Sequence, residues 1–185
     1  MIELTYIQLL IFITILWIII RVAAGIISRQ FSFKRELQLL LVYICIIVIA
    51  RYVYFPFRLV DGVLGTLKLG ISKDFTGRLS LVPFIFLSER YDGWLINVIG
   101  NIAMFIPVGI VWPICFKKLD SFIKTVVACA GFSLLIEVSQ LFSYENHSDI
   151  DDLILNTIGA AIGAAIVFII RRLYKKLNKP SRNSL

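Results

Sequence analysis

The chain predicts an all-α integral membrane protein, a polytopic helical bundle with about five transmembrane helices. Three observations carry that reading. Hydrophobic residues make up 59% of the 185 positions and charged residues only 17%, too apolar a mix for a soluble domain with one core. The apolar residues fall in long runs, each near the 20 residues or so that cross a hydrocarbon core at about 1.5 Å per residue. The basic residues gather in alternate joins between those runs.

Taken in order, the runs place spans at 4–27, 37–57, 94–116, 122–142 and 150–170. Helix is the expected form, because membrane strands would alternate apolar and polar residues and these runs do not. The first span reads as a retained helix rather than a cleaved signal peptide. Glu3 stands where a basic n-region belongs, the apolar stretch is too long, and no small-residue cleavage pattern follows it.

The joins at Arg21, Arg29, Lys34 and Arg35 and at Lys117, Lys118 and Lys124 fall on one side. With the tail residues Arg171, Arg172, Lys175, Lys176, Lys179 and Arg182 they hold thirteen of the 19 basic residues. Ten of the 12 acidic residues fall on the other side. The positive-inside rule then predicts an N-out/C-in, multi-pass topology.

Four regions follow: two N-terminal helices in 1–57, an external loop in 58–93, a three-helix core in 94–170, and a basic cytoplasmic tail in 171–185. The loop holds Gly62, Gly65, Gly70 and Gly77, then an apolar segment, Leu79–Leu87, too short to span. Pro83 would break a helix there, so the segment predicts a flap on the outer surface near the mouth of the bundle.

The net charge of +7 points to membrane lipids as partners, through anionic headgroups. Nucleic acid is excluded, since the basic residues are not gathered on one folded face. Cys45, Cys115 and Cys129 lie within spans and have no metal or disulfide spacing. Gly159 and Gly163, flanked by alanines, form a small-residue stripe of the kind that lets helices approach closely. Packing inside the bundle is the expected use, ahead of a dimer face, and the oligomeric state stays open.

The polar residues inside the spans are the candidate site, because ionisable groups at membrane depth are costly. Asn97 and Asn101 lie four apart on the third span. Ser133, Glu137 and Gln140 share a stripe on the fourth, and Asp149, Asp152 and Asn156 one on the fifth. By residue count Asn101, Glu137 and Asn156 all fall about 7–10 Å below the same surface, and the opposite half of the bundle has no comparable set. Arg51 reaches a similar depth and is either an ion-pair partner for Glu137 or a side chain snorkelling to the interface. Asp151 falls off its stripe, so it is either solvated or a helix cap. The plainer reading makes Asn101, Gln140 and Asn156 interhelical hydrogen-bonding glue.

Two function classes remain. A binding site needs only the converged polar groups. An enzyme would draw general-base and partner roles from Glu137 and Asp152. His147-x-Asp149-x-x-Asp152 has metal-like spacing, but the one histidine sits in a short exposed turn, so neither a metal nor a cofactor is expected. Ser133 has no histidine at its depth to activate it, and no Gly-x-Ser-x-Gly, His-Glu-x-x-His or phosphate-cradling motif occurs. No catalytic residue is therefore assigned, and a non-enzymatic role is favoured.

Three ordered motifs carry a family resemblance. They are Gly100-Asn101-Ile102-Ala103-Met104-Phe105-Ile106-Pro107-Val108-Gly109, then Ser133-Leu134-Leu135-Ile136-Glu137-Val138-Ser139-Gln140, then Asp149-Ile150-Asp151-Asp152-Leu153-Ile154-Leu155-Asn156-Thr157-Ile158-Gly159. With Leu79–Phe84 before them, the set resembles the VanZ-like family, membrane proteins named for an accessory teicoplanin-resistance protein of glycopeptide-resistant bacteria. The resemblance covers about Leu79–Gly163 and makes 94–170 the VanZ-like core. Ser80 stands where the family usually has Asn, and Asn146 where many members have Arg. The resemblance implies a bacterial cytoplasmic membrane protein and lowered susceptibility to teicoplanin or related lipoglycopeptide antibiotics. It leaves two mechanisms open. One is an outer-leaflet pocket for an amphiphile, such as a lipid-linked envelope precursor or the lipoglycopeptide itself. The other is a membrane-embedded hydrolase or transferase acting on a lipid or cell-envelope precursor.

Overall fold

The computed structural model describes residues 2–29, 32–55, 65–70, 76–85, 93–144 and 146–178. Gly62, Lys73, Phe86, Leu87, Lys179 and Arg182 lie outside the described residues. Among the described residues five helices are long and apolar enough to cross a membrane: α1 Tyr6–Ser28, α2 Phe33–Tyr54, α3 Trp94–Cys115, α4 Phe122–Gln140 and α5 Ile150–Leu177. The expected number and order of spans are found. α5 continues past position 170 through Arg171, Arg172, Lys175 and Lys176. Hydropathy ends at those charges, but Lys and Arg are good helix formers and are favourable near a helix C-terminus, so the start of the expected tail is helical.

The helix starts are capped. Thr5 accepts from the Gln8 amide while the Gln8 side chain accepts from the Thr5 amide, a reciprocal box that starts α1. Ser121 accepts from the Lys124 amide to start α4.

α3 and α5 make the most extensive helix pair, and small residues bring them together. A side chain at Gly159 would strike the Ile102 carbonyl, one at Gly163 the Ile106 carbonyl, and one at Gly109 the Ala160 carbonyl. The register advances by four residues on both helices, so α3 and α5 run side by side in the same direction. The glycine stripe is therefore used inside the bundle, as expected. α4 packs against α5, and α2 against α3. Phe105, Val108, Cys129 and Ala160 are fully buried where these helices meet, with Ile49 from α2. α1 has no buried residue. It is held to α2 by a Thr14–Tyr43 hydroxyl pair at 2.6 Å and by the Arg21 guanidinium on Glu36 at 2.5 and 2.9 Å.

Short strands tie together the end of the bundle where α1, α3 and α5 begin. β1 (Ile2–Leu4) pairs antiparallel with β2 (Leu67–Leu69). The β2 segment also bonds to the end of α4, through Gly70 N to Phe142 O and Tyr144 N to Lys68 O, both 2.9 Å. After a 3-10 turn at Thr76–Arg78, β3 (Leu79–Ser80) pairs in parallel with β4 (Ser148–Asp149), just before α5. These strands form a β cap over one end. The other end carries the basic joins, where Arg35 of α2 donates to the Cys115 carbonyl that closes α3.

The close packing of α3 on α5 makes a prediction. Gly163→Ala should lower the melting temperature in detergent, costing about 1–3 kcal/mol through overpacking. Gly131→Ala on α4, where an added Cβ meets nothing, should be neutral or stabilising by about 0.5–1 kcal/mol. Equal effects at the two positions would refute the packing described.

Candidate functional site

The α3–α5 contact places the polar face of α3 against the start of α5. Asn101 Nδ2 donates to Asp152 Oδ1 at 2.5 Å and to Asn97 Oδ1 at 3.3 Å, and Asn97 Nδ2 reaches the same aspartate oxygen at 3.5 Å. From the other side, α4 presents its own stripe. Glu137 Oε2 accepts from the Asp149 amide at 2.9 Å, and the Ser148 hydroxyl also bonds to it. About two turns down α5 from Asp149, Asn156 Nδ2 donates to Ser133 Oγ at 2.9 Å. Glu137 and Asn156 are buried, at 5% and 2% exposure.

Asp149 is the N-cap of α5, its carboxylate accepting from the Asp151 amide at 2.9 Å. The Ser80 hydroxyl bonds to the same carboxyl. Burial pushes the Asp149 carboxyl above the ordinary aspartate range, against the opposing effect of the Asp151 amide.

Asp151 is neither solvated nor the cap: it is 4% exposed and grips the flap. Its two oxygens accept from the Phe84 amide at 2.5 Å and the Ile85 amide at 3.1 Å. Phe84 sits at φ 63°, in the left-handed region that non-glycine residues rarely enter. That turn, just after Pro83, aims two successive N–H groups at one carboxylate, the geometry of an anion-binding nest.

Arg78 completes the closure. It is buried, and its guanidinium donates to the Asn146 carbonyl at 2.6 and 3.2 Å and to the Gln140 carbonyl at 3.3 Å. Arg78 and Asp151, with Ser80 and Ser148, are site residues that the helical stripes do not pick out. Arg78 lay in a loop with no helical period. Asp151 falls on a helical face away from the stripe, and that face is the one the flap covers.

The expected site residues are thus brought together, with differences in role. Asn101, Glu137, Gln140 and Asn156 are buried, Asp149 and Asp152 half-buried, and Asn97 exposed at the mouth. Arg51 donates to the Phe55 carbonyl at 3.4 Å, and its guanidinium lies over the rings of Tyr52 and Tyr6 at 5.3 and 5.8 Å. Glu137 meets the start of α5 instead, while Tyr54 of α2 bonds to Ser139 beside it. His147 is exposed. Among the described residues no group of three or more His, Cys, Asp and Glu side chains is spaced to hold a metal ion.

Four carboxylates converge here, each fed by N–H or O–H donors. Two buried acceptors remain over: Gln140 Oε1 and Asn156 Oδ1 have no hydrogen-bond partner among the described residues. The unmet capacity of the cluster is therefore capacity to accept hydrogen bonds.

The fold and site define a polytopic helical membrane protein with a partly buried acidic cluster under a β cap. The model of the VanZ/LLP1 family matches residues 8–171, and the chain belongs to that family. The match takes in nearly all of α1 and all of α2 as well as the motif-bearing core. No curated protein and no solved structure matches the chain.

Two predictions follow from these bonds. Asp151→Ala should release the flap, raising hydrogen exchange at the Phe84 and Ile85 amides by about tenfold or more, since bonds to charged groups contribute about 1.5–3 kcal/mol. Unchanged exchange at both amides would refute the anchoring. Glu137→Ala and Arg51→Ala should destabilise additively, within about 0.5 kcal/mol, because their partners differ. A strong coupling in thermal denaturation of the double variant would instead make them an ion pair.

Proposed function

We propose that the protein lowers susceptibility to teicoplanin-type lipoglycopeptides without chemistry of its own. It does so by binding an amphiphilic or lipid-linked ligand at the acidic cluster. The observation that carries this reading is the surplus of hydrogen-bond acceptors at Glu137, Gln140, Asp152 and Asn156 beneath a cap tied on by Asp151. An acceptor-lined site suits a donor-rich head, such as sugar hydroxyls, amide N–H groups or an ammonium. Asn97 and Asn101 add donors for a carbonyl or hydroxyl oxygen. The ligand's acyl chain lies in lipid between helices, and its head enters when the Leu79–Ile85 flap lifts from Asp149 and Asp151.

The alternation of basic joins supports an N-out/C-in orientation in the bacterial cytoplasmic membrane, with the cap outside. A lipid-linked envelope precursor is then within reach, as is teicoplanin, whose acyl chain partitions into the same leaflet. Occupying or shielding that ligand weakens the drug.

A second reading has a specific observation in its favour: Glu137 lies within electrostatic range of both Asp149 and Asp152. Paired carboxylates in unlike surroundings are the usual source of acid and base roles, so a hydrolase or transferase acting on an envelope lipid is the alternative.

The test compares teicoplanin susceptibility in strains expressing wild type, Glu137→Ala and Asp152→Ala at equal protein levels. Both variants should lose most of the protection. Protection equal to wild type in both would remove the cluster from the function. Mass spectrometry of lipids and wall precursors from expressing and deleted strains separates the two readings: binding predicts an unchanged profile, and an enzyme predicts a displaced species.

A further inference from the structure

At the end opposite the β cap, an open cavity of about 550 Å³ lies between α3 and α5, and the α3–α4 join closes one side. From Asp152 to Arg172 along α5 is about 30 Å, so this cavity and the acidic cluster do not meet. Its walls are mixed. Pro113 and Phe168 contribute apolar surface, while Lys117, Arg171, Arg172 and Lys175 bring four cationic side chains around one rim.

Arg171 is held in place: it donates to the Pro113 carbonyl at 2.7 Å and lies 5.2 Å from the Phe168 ring centroid. The other three cations are exposed and make no hydrogen bond or ion pair among the described residues. The one carboxylate in the lining, Asp120, is already engaged by Lys124 at 2.8 Å, outside the cavity. The positive charge of the rim is therefore left without a counter-charge from the described protein. A cavity of this size holds a small polar head with part of its tail, and guanidinium and ammonium groups beside apolar walls match a phosphate joined to an apolar body.

We propose that this cavity is a second ligand site, which binds a phosphate group through Lys117, Arg172 and Lys175. Arg171 is the fixed wall between those cations and the apolar floor. A phospholipid headgroup presents that phosphate with its tails beside Pro113 and Phe168. A free phosphate presents it without them.

The test uses the full chain in a neutral detergent and native mass spectrometry. The probes are phosphatidylglycerol, diacylglycerol with the same acyl chains, and inorganic phosphate. The variants are Lys117→Gln, Arg172→Gln and Lys175→Gln, with Lys34→Gln as a control that removes one exposed charge from the same end outside the cavity. Melting in lipid-free detergent checks that the variants fold as wild type.

Phosphatidylglycerol should be retained and diacylglycerol should not. Each cavity variant should weaken retention about fivefold, the effect of roughly one basic group at a membrane surface, and Lys34→Gln should leave it unchanged. Displacement of the lipid by inorganic phosphate would make free phosphate the ligand, and resistance to displacement would make it the lipid headgroup. Equal retention of phosphatidylglycerol and diacylglycerol, or an effect of Lys34→Gln as large as those in the cavity, would overturn the proposal.

Discussion

The close approach of α3 and α5 is the contact on which the rest of the structure depends. In hydrocarbon there is no hydrophobic force to press one apolar helix on another, so association rests on packing and on polar bonds between helices. Gly109, Gly159 and Gly163 let backbone meet backbone. That register brings Asn101 within hydrogen-bonding distance of Asp152. A wider separation would break the Asn101–Asp152 bond and leave the buried Asn101 amide and the Asp152 carboxylate facing each other across a gap, where unpaired polar groups are costly.

The acidic cluster is tolerable because it sits where backbone donors are free. The first turn of a helix has N–H groups without intrahelical partners, and its dipole favours negative charge. Asp149, Asp151 and Asp152 lie at that turn of α5, and Glu137 reaches the amide just ahead of it. The flap adds two more amides in a strained turn at Phe84. Strain of that kind persists only where the surroundings hold it, and here the Asp151 carboxylate is the hold. The cap and the cluster are thus one unit: the carboxylates need the amides, and the flap needs Asp151.

The two ends of the bundle have opposite character. One is acidic, roofed by short strands and closed by Arg78. The other is basic, open and lined by exposed cations. α5 spans both, starting in the cluster and ending as the rim of the basic cavity, so a single rigid helix fixes the distance between them. α1 takes no part in either interior and meets the bundle mainly through α2.

Much of this was legible in the chain. The five helices were visible because a membrane span needs about 20 apolar residues and little else, and the stripes on α3, α4 and α5 were visible because helical period fixes which side chains share a face. The glycine stripe announced a close contact, though not that α3 was its partner. What the sequence could not reveal was the cap. Strands of two or three residues carry no period to read, and their pairing depends on how the helix ends are arranged in space. The partner of Glu137, the role of Asp151 and the burial of Arg78 had the same origin. Each is a bond between segments distant along the chain or set in a loop, and only the packing of α3, α4 and α5 brought those segments to one place. The sequence by itself determined which residues must leave lipid, because that is a property of each side chain. The tertiary structure decided which groups receive them, because that depends on distances no local pattern encodes.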